Sequence, residues 1–312
     1  MPISINNTLG QDDEQQVFDP IAPEVADDSA EQISAESIQG PAGLSEEEHN
    51  DPNAIKVCVS DDETPIVVLY GPPSCGKTMT LVRLTRYLVD QGYTVVPDRI
   101  FRPSADTHYK KLCDSFNQMI NASSAATSTN NISFLLVKVL MDGRPVCQIL
   151  EAPGEYYFHP DFPERPYPTY FHEIKNRPNR KVWAIMVEPD WQDPGPRRNY
   201  VSRISKLKQQ MTTRDKVLFV YNKIDLTPYV YGVGQVKVKE AVKDVKQKYP
   251  GVFREFENKN PITRLWKEYN CEFVPFMTGS YSKTLSGGFA YTEGHHLYAQ
   301  RLWEKMLKFI KG

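Results

Sequence analysis

The eight-residue segment Gly71-Pro-Pro-Ser-Cys-Gly-Lys-Thr78 carries the most specific chemistry in the sequence, because it fits the pattern GxxxxGK[ST] in full. The two glycines let backbone N–H groups surround a phosphate, and a following helix adds its positive end. Lys77 would neutralise the β- and γ-phosphates of a nucleotide, and the Thr78 hydroxyl would bind Mg²⁺. A Gly-Pro turn that carries a lysine by chance is the alternative. The predicted phosphate contacts are Gly71, Ser74, Cys75, Gly76, Lys77 and Thr78.

A second motif, Asn222-Lys223-Ile224-Asp225, matches NKxD and directly follows the apolar segment Val217–Tyr221. An Asp carboxylate accepts the paired N1–H and N2–H donors of guanine, whereas adenine offers no such pair. Asn222 would join this loop to the phosphate loop, and the aliphatic stem of Lys223 would cover the base. The alternative is that these four residues only form a polar junction between a strand and a loop. The position after an apolar strand favours guanine recognition.

Two more strand ends carry related signals. The segment CQILEAPGE ends its strand in Glu151-Ala-Pro-Gly154, where the acid would hold the Mg²⁺ shell and the glycine N–H would contact the γ-phosphate. Thr78 and Glu151 therefore form the predicted metal site. The segment FVPFMTGS ends in a turn whose backbone N–H can donate to guanine O6, so the predicted nucleotide site also includes Thr278, Gly279 and Ser280.

The order of these motifs resembles the Ras-like, translation-factor-related (TRAFAC) class of GTPases. The resemblance covers residues 64–310 and implies a Ras-like fold, binding of GTP and GDP with Mg²⁺, and switch loops that respond to the γ-phosphate. The wording of the segment EAPGE is also similar to that of uncharacterised bacterial GTPase-like proteins that bind ATP or GTP. The implied function is a GTP-dependent molecular switch.

The chain departs from the class in the segment Glu151–Glu155, which is expected to sense the γ-phosphate and is called the sensor below. Glu151 stands where an Asp is usual, and Glu155 stands where many Ras-like enzymes have a water-orienting glutamine. A carboxylate at 155 could act as a base but would also repel the γ-phosphate, which predicts slow hydrolysis. The candidate catalytic residues are Lys77, Gly154 and Glu155. The switch threonine is either Thr127 or Thr129, in a loop that is otherwise a flexible connector.

Two other functions stay open. The Gly-Pro-Pro wording of the phosphate loop is common in AAA-type ATPases, which would need an arginine finger in an oligomer and a helical lid domain. The sequence leaves no room for such a lid. Alternatively, Glu151 and Glu155 no longer support turnover, and the chain is a nucleotide-dependent scaffold.

The elements that must position these motifs alternate between strands and helices. Asp142-Gly143 joins two β-rich segments in a strong hairpin signal, and a short strand is predicted over Ile55–Val59. The alternation predicts a doubly wound, mostly parallel α/β sheet with one antiparallel edge hairpin. The predicted strands are Pro65–Tyr70, Thr94–Val96, Ile132–Met141, Arg144–Leu150, Lys181–Val187, Lys216–Tyr221 and, last, Glu272–Met277. The predicted helices include Lys77–Gln91, Ala105–Ile120, Lys237–Lys248 and Leu297–Ile310.

The net charge of −2 hides an asymmetry, since residues 1–62 contain fifteen acids and one base. Residues 1–52 are predicted to be a disordered acidic leader, and 53–312 a single domain. The leader is either simply solvated or shields a basic face from an anionic partner. Five widely spaced cysteines indicate a reducing cytoplasm rather than disulfides or zinc. No apolar run approaches the roughly 20 residues of a membrane span, and no signal peptide is evident.

Aromatic residues crowd the segment after the sensor, 155–172. They either form a surface that contacts a protein partner or pack a lid onto the sheet. The lysine-rich helix 237–248 is predicted to be a solvated face, and nucleic-acid binding is disfavoured because no aromatic residues interleave its lysines. No His/Cys/Asp cluster has metal-ligand spacing, so Mg²⁺ with the nucleotide is the only predicted metal.

Overall fold

The computed structural model describes residues 43–121, 134–160, 162–191, 193–283 and 289–312. The two candidate switch threonines, Thr127 and Thr129, lie outside the described residues. The strands are β1 Ile66–Tyr70, β2 Thr94–Pro97, β3 Leu135–Met141, β4 Arg144–Glu151, β5 Lys181–Val187, β6 Lys216–Tyr221, β7 Val230–Gly232, β8 Gln235–Val236, β9 Glu272–Pro275, β10 Gly279–Lys283 and β11 Phe289–Glu293. The α-helices are α1 Glu46–Asn50, α2 Lys77–Asp90, α3 Thr107–Asn121, α4 Gly154–Tyr157, α5 Thr169–Asn176, α6 Pro194–Gln210, α7 Val238–Lys248, α8 Pro261–Trp266 and α9 His296–Lys311.

Seven strands form one sheet in the order β2-β3-β4-β1-β5-β6-β9. The pairs β4–β1, β1–β5, β5–β6 and β6–β9 are parallel, and only β3 runs against its neighbours. Every residue of β1 and β5 is buried, as the continuous apolar runs of these segments predict for central strands of a covered sheet. The predicted fold class is confirmed. The carboxyl ends of β1, β4, β5, β6 and β9 therefore share one edge of the sheet.

The antiparallel pair β3–β4 turns at Asp142-Gly143, as the sequence predicts. Both turn residues have positive φ, 50° at Asp142 and 73° at Gly143, which is the requirement of a two-residue type I′ turn. β2 pairs with β3 on the far side, so the antiparallel part of the sheet has one strand more than the hairpin.

The amino-terminal part of the domain differs from the sequence-based expectation in two places. Ile55 and Val59 are buried, but they lie in an extended segment and not in the predicted strand. One backbone hydrogen bond, from Cys58 N to Phe101 O at 2.7 Å, fastens this segment. The expected leader reached residue 52, whereas residues 43–52 include α1, whose capping box is closed by Ser45 and Glu48. Glu48 also pairs with the buried Arg102, which ties α1 to the domain.

Two short hairpins, β7–β8 and β10–β11, were not predicted from the sequence. Their strands have two to five residues, too few for a periodic pattern to stand out. The prediction that Glu272–Met277 is the last strand is wrong, since β9 ends at Pro275 and β10–β11 follow. Among the described residues, no helix is both long and apolar enough to cross a bilayer.

Candidate nucleotide-binding site

The phosphate loop connects the buried end of β1 to the start of α2 at Lys77. Ser74 and Gly76 have φ of 60° and 87°, so the chain curls tightly before the helix begins, as in an anion-binding nest. A Cβ at Gly76 would lie 2.3 Å from Asn222 Nδ2, and the φ of 87° itself favours glycine at this position. Gly71 and Cys75 are buried, and burial raises the pKa of the Cys75 thiol to about 11, which leaves it protonated at neutral pH. Ser74 is exposed.

Lys77 bends back over its own loop. Its ammonium group donates to Pro72 O at 2.9 Å and to Gly71 O at 3.3 Å, and only 6% of the residue is exposed. Carbonyl oxygens compensate a buried positive charge only in part, so an anion near Lys77 is strongly favoured. This arrangement suits a lysine that binds nucleotide phosphates.

Glu151 and Thr78 meet beside the loop, where the Thr78 hydroxyl donates to Glu151 Oε1. Burial raises the pKa of Glu151 to about 8, although the Thr78 hydrogen bond and the Lys77 charge oppose the rise. Glu151 Oε2 is buried and has no hydrogen-bond partner among the described residues. An unpaired carboxylate oxygen beside a hydroxyl fits a hard cation, so these two residues suit Mg²⁺. No larger group of His, Cys, Asp and Glu that could hold a metal exists in the described part of the chain.

At Gly154 the backbone of the sensor segment packs directly against the phosphate loop. A Cβ at this position would lie 2.4 Å from both Pro72 C and Pro73 N, which are backbone atoms that cannot turn aside. The sensor glycine and the phosphate loop are therefore in direct contact. Glu155 follows within α4 and is half-buried.

The aromatic segment after the sensor is mostly interior. The ring of Tyr157 stacks on that of Tyr70, with centroids 4.9 Å apart. Of the two interpretations of the segment, packing onto the sheet describes these residues, and a partner-contacting surface does not, because their side chains are not accessible. Among its described tyrosines and phenylalanines, Phe162 is the exception, with 61% of the residue exposed. The buried members are Tyr156, Tyr157, Phe158, Tyr167, Tyr170 and Phe171.

Arg203 of α6 contacts the aromatic segment through its guanidinium group. Its guanidinium group donates to Tyr157 O and Arg165 O, both at 2.8 Å, and lies 3.5 Å from the centre of the Tyr167 ring. Only 5% of Arg203 is exposed. Sequence reasoning missed this residue, because an arginine on a predicted helix is most often solvated.

The base-recognition motif is joined to the phosphate loop by Asn222. Its Nδ2 donates to Cys75 O at 2.9 Å, and its backbone N donates to Val187 O at the end of β5, also at 2.9 Å. The amide is buried, so this link is shielded from water. The structure thus brings together the two motifs that the sequence separates by more than a hundred residues.

Lys223 and Asp225 stand at the mouth of this loop. Lys223 has φ of 54°, and its ammonium group pairs with Glu188 and Asp190, two acids that sequence reasoning did not select. Asp225 is exposed. Although the residue is exposed, neighbouring protein atoms partly desolvate its carboxyl group and raise its pKa; a hydrogen bond from the backbone N–H of Asp225 and the Lys223 charge oppose the rise, and the nearby Asp190 adds to it.

The third predicted motif, Thr278-Gly279-Ser280, is the base of the β10–β11 hairpin and not a free loop. Thr278 O accepts from Gly294 N at 2.9 Å and from the Tyr291 hydroxyl at 2.7 Å. Arg83 of α2 donates to Gly294 O at 2.9 Å. The motif is therefore braced against the helix that follows the phosphate loop.

Backbone hydrogen bonds also join the third motif to the base-recognition loop. Ile224 N donates to Phe276 O at 3.1 Å, and Phe276 N donates to Tyr221 O at 2.8 Å. All predicted site residues within the described ranges consequently surround one edge of the sheet.

Comparison with solved structures found similar proteins. One is a nucleolar GTP-binding protein 1 from Plasmodium falciparum, 13% identical, with a TM-score of 0.41 over 82% of this chain and 90% of that chain. Another is the S. cerevisiae Ski7 GTPase-like domain bound to GDP and inorganic phosphate, 15% identical, with a TM-score of 0.35 over 69% of this chain and 43% of that chain. No protein-family model matches the sequence, and the comparison with curated proteins found no match. With both TM-scores below 0.5, these likenesses carry no inference about the ligand.

Proposed function

We propose that this protein binds GTP and GDP with Mg²⁺ and acts as a molecular switch that hydrolyses GTP slowly. The observation that carries the proposal is the 2.9 Å hydrogen bond from Asn222 Nδ2 to Cys75 O. It fastens the base-recognition loop to the phosphate loop, so that one ligand can reach Asp225 and Lys77 together. A purine nucleotide with a charged phosphate chain has the matching shape and charge.

Each residue then has a defined task. Lys77 binds the β- and γ-phosphate oxygens, and Asp225 accepts the two guanine donors while the stem of Lys223 covers the ring. Thr78 and Glu151 would hold Mg²⁺, which would neutralise phosphate charge when bound. The Gly154 N–H donates to the γ-phosphate. The backbone of 278–280 faces the guanine O6 edge.

In hydrolysis, water attacks the γ-phosphorus and the bond to the β–γ bridging oxygen breaks, which yields GDP and phosphate. Glu155 is the candidate to orient or deprotonate that water. Its negative charge repels the γ-phosphate, which is the reason to expect slow turnover. The free cysteines, four of them buried, favour a reducing cytoplasm for this activity.

Competition between nucleotides tests the base assignment. We expect GTP and GDP, but not ATP, to displace a fluorescent guanine nucleotide at micromolar concentrations. Asp225→Asn should weaken GTP binding about 10- to 100-fold, since a hydrogen bond to a charged group is lost, and should favour XTP, whose O2 accepts where guanine N2 donates. Asp114→Asn is the matched control, because Asp114 is an exposed acid on α3 that pairs with Arg99. Equal affinity for ATP and GTP before and after Asp225→Asn would refute guanine recognition.

A nucleotide-dependent scaffold without turnover is a second candidate, favoured by the buried aromatic segment that follows Gly154. Single-turnover assays with and without Mg²⁺ separate the two functions. Phosphate release that depends on Mg²⁺ supports the switch, and bound GTP that stays intact over hours supports the scaffold. A protein partner of either form would contact the exposed Phe162 rather than the buried rings.

A further inference from the structure

Glu188 lies one residue beyond the end of β5, between the phosphate loop and the base-recognition loop. Only 8% of the residue is exposed. Its backbone is fixed from both sides, because the Tyr249 hydroxyl donates to Glu188 O at 2.9 Å and lies 3.3 Å from Glu188 N. A buried carboxylate held so firmly needs a charged partner.

That partner is Lys223, whose Nζ lies 2.6 Å from Glu188 Oε2. Asp190 is a second, more exposed anchor: its two carboxylate oxygens accept hydrogen bonds from the same nitrogen at 3.1 and 3.3 Å, and 42% of its side chain is exposed. With the ammonium group held at one end and the backbone at φ of 54° at the other, the four-carbon stem of Lys223 has few conformations left. Lysine is among the side chains that lose most rotamer freedom when they are ordered.

We propose that Glu188 is a positioning residue for base recognition, which holds the Lys223 stem in place as one wall of the purine pocket. This inference rests on the proposed function, because the wall has a task only if a guanine base lies beside Asp225. Glu188 acts before the ligand arrives, so the ordering of Lys223 does not reduce the binding free energy of the base. Asp190 assists from the solvent side.

The experiment measures dissociation constants for GDP and ADP by calorimetry on the full chain. Glu188→Gln, which keeps the size but removes the charge, should weaken GDP binding about 10-fold. It should leave ADP binding unchanged, because an adenine base that Asp225 does not hold does not rest against the Lys223 stem. Asp190→Asn should weaken GDP binding by about 3-fold, since its carboxylate is more exposed. Glu188→Asp should keep most of the preference for GDP, because a carboxylate remains within reach of Lys223.

Glu272→Gln is the matched control. Glu272 also pairs with lysines, Lys305 at 2.8 Å and Lys308 at 2.6 Å, but it lies at the start of β9, away from the candidate site. This variant should lose thermal stability and keep the GDP-to-ADP affinity ratio of the wild type. A merely structural role of Glu188 predicts the same pattern for Glu188→Gln.

A double-mutant cycle with Lys223→Met separates positioning from other effects. Methionine keeps an apolar stem without the ammonium group, so Glu188→Gln should have no further effect on GDP affinity in that background. Additive losses, or a wild-type GDP-to-ADP ratio in Glu188→Gln, overturn the inference and leave the proposed function intact. A wild-type protein that binds ADP as well as GDP overturns both. If Glu188→Gln does not fold, Glu188→Asp and Asp190→Asn are measured in the same cycle.

Discussion

The base-recognition end and the sensor end of the candidate site differ in how exposed and how tightly packed their residues are. At the base end, backbone hydrogen bonds join the loops, and the exposed Asp225 and the ion-paired Lys223 stand at the surface. At the sensor end, Glu151 is buried and Gly154 lies against the backbone of Pro72. The aromatic rings of the following segment are stacked in the interior. One end is polar and open, and the other is apolar and packed.

This difference limits how the protein can respond to a γ-phosphate. A buried aromatic side chain covers 150–250 Å², so exposing three of them costs on the order of 10 kcal/mol. Coupling between two ligands is typically only about 1–3 kcal/mol. Because this cost exceeds a typical coupling free energy, we expect the aromatic segment to stay on the sheet and the response to be a local displacement at Gly154 and Glu155. Binding or release of a base at the base-recognition end would expose no buried aromatic side chains, so it would not carry this free-energy cost.

The phosphate loop serves both ends, so Lys77→Ala should have the largest effect. We expect GTP affinity to fall at least about 100-fold, because a charged hydrogen-bond donor to the phosphates is lost. GDP should be weakened as well, since the lysine contacts phosphates and not the base. Lys239→Ala, an exposed lysine on α7, is the control. Retained micromolar GTP affinity in Lys77→Ala would show that the phosphates bind elsewhere.

Gly154→Ala tests the sensor end alone. The new methyl group would meet the backbone of the phosphate loop at 2.4 Å, and overpacking of this kind costs about 1–3 kcal/mol. We expect a lower melting temperature and a smaller preference for GTP over GDP, with guanine selectivity retained. Gly195→Ala is the control, because its Cβ would meet only the Asp193 side chain, at 3.3 Å. Loss of selectivity between GTP and ATP would show that the two ends are not separable.

Glu272→Gln should have the smallest effect, which is on stability, and should leave nucleotide binding at both ends of the site unchanged. Burial would raise the pKa of Glu272, but hydrogen bonds from Lys305 and Lys308 and their charges outweigh it and lower the pKa to about 2. A depressed carboxyl pKa stabilises the fold above the unfolded-state pKa, and this contribution is lost as the pH falls from about 4.5 to 2.

Because the lysines are partly exposed, we expect Glu272→Gln to reduce the free energy of unfolding by about 1–2 kcal/mol at pH 7. The melting temperature would then fall by roughly 2–6 °C. Thermal unfolding followed from pH 7 to pH 3 should show the difference between the wild type and the variant shrinking below about pH 4.5, with convergence only near pH 2. A difference that is as large at pH 3 as at pH 7 would mean that the carboxylate charge is not responsible.

Much of the base end was predictable, since NKxD, the glycine-rich loop and the Thr-Gly-Ser turn each follow an apolar strand. The central strands β5 and β6 agree with their predicted bounds for the same reason, as their apolar runs are continuous. The sensor end was predictable only in its acid and glycine. Whether Tyr157 and Tyr170 lie inside or outside depends on what covers them, and the spacing of aromatic residues carries no such information.

The sequence by itself determined which residues we propose to bind phosphate and to select the base, and the alternation of strands and helices, because these depend on residue type within a few neighbouring positions. Tertiary structure decided that Glu188 holds Lys223, that Arg203 fastens the aromatic segment, and that Arg83 braces the third motif. Each of these contacts joins residues far apart in the chain, which meet only when the strands form the sheet and the helices pack against it.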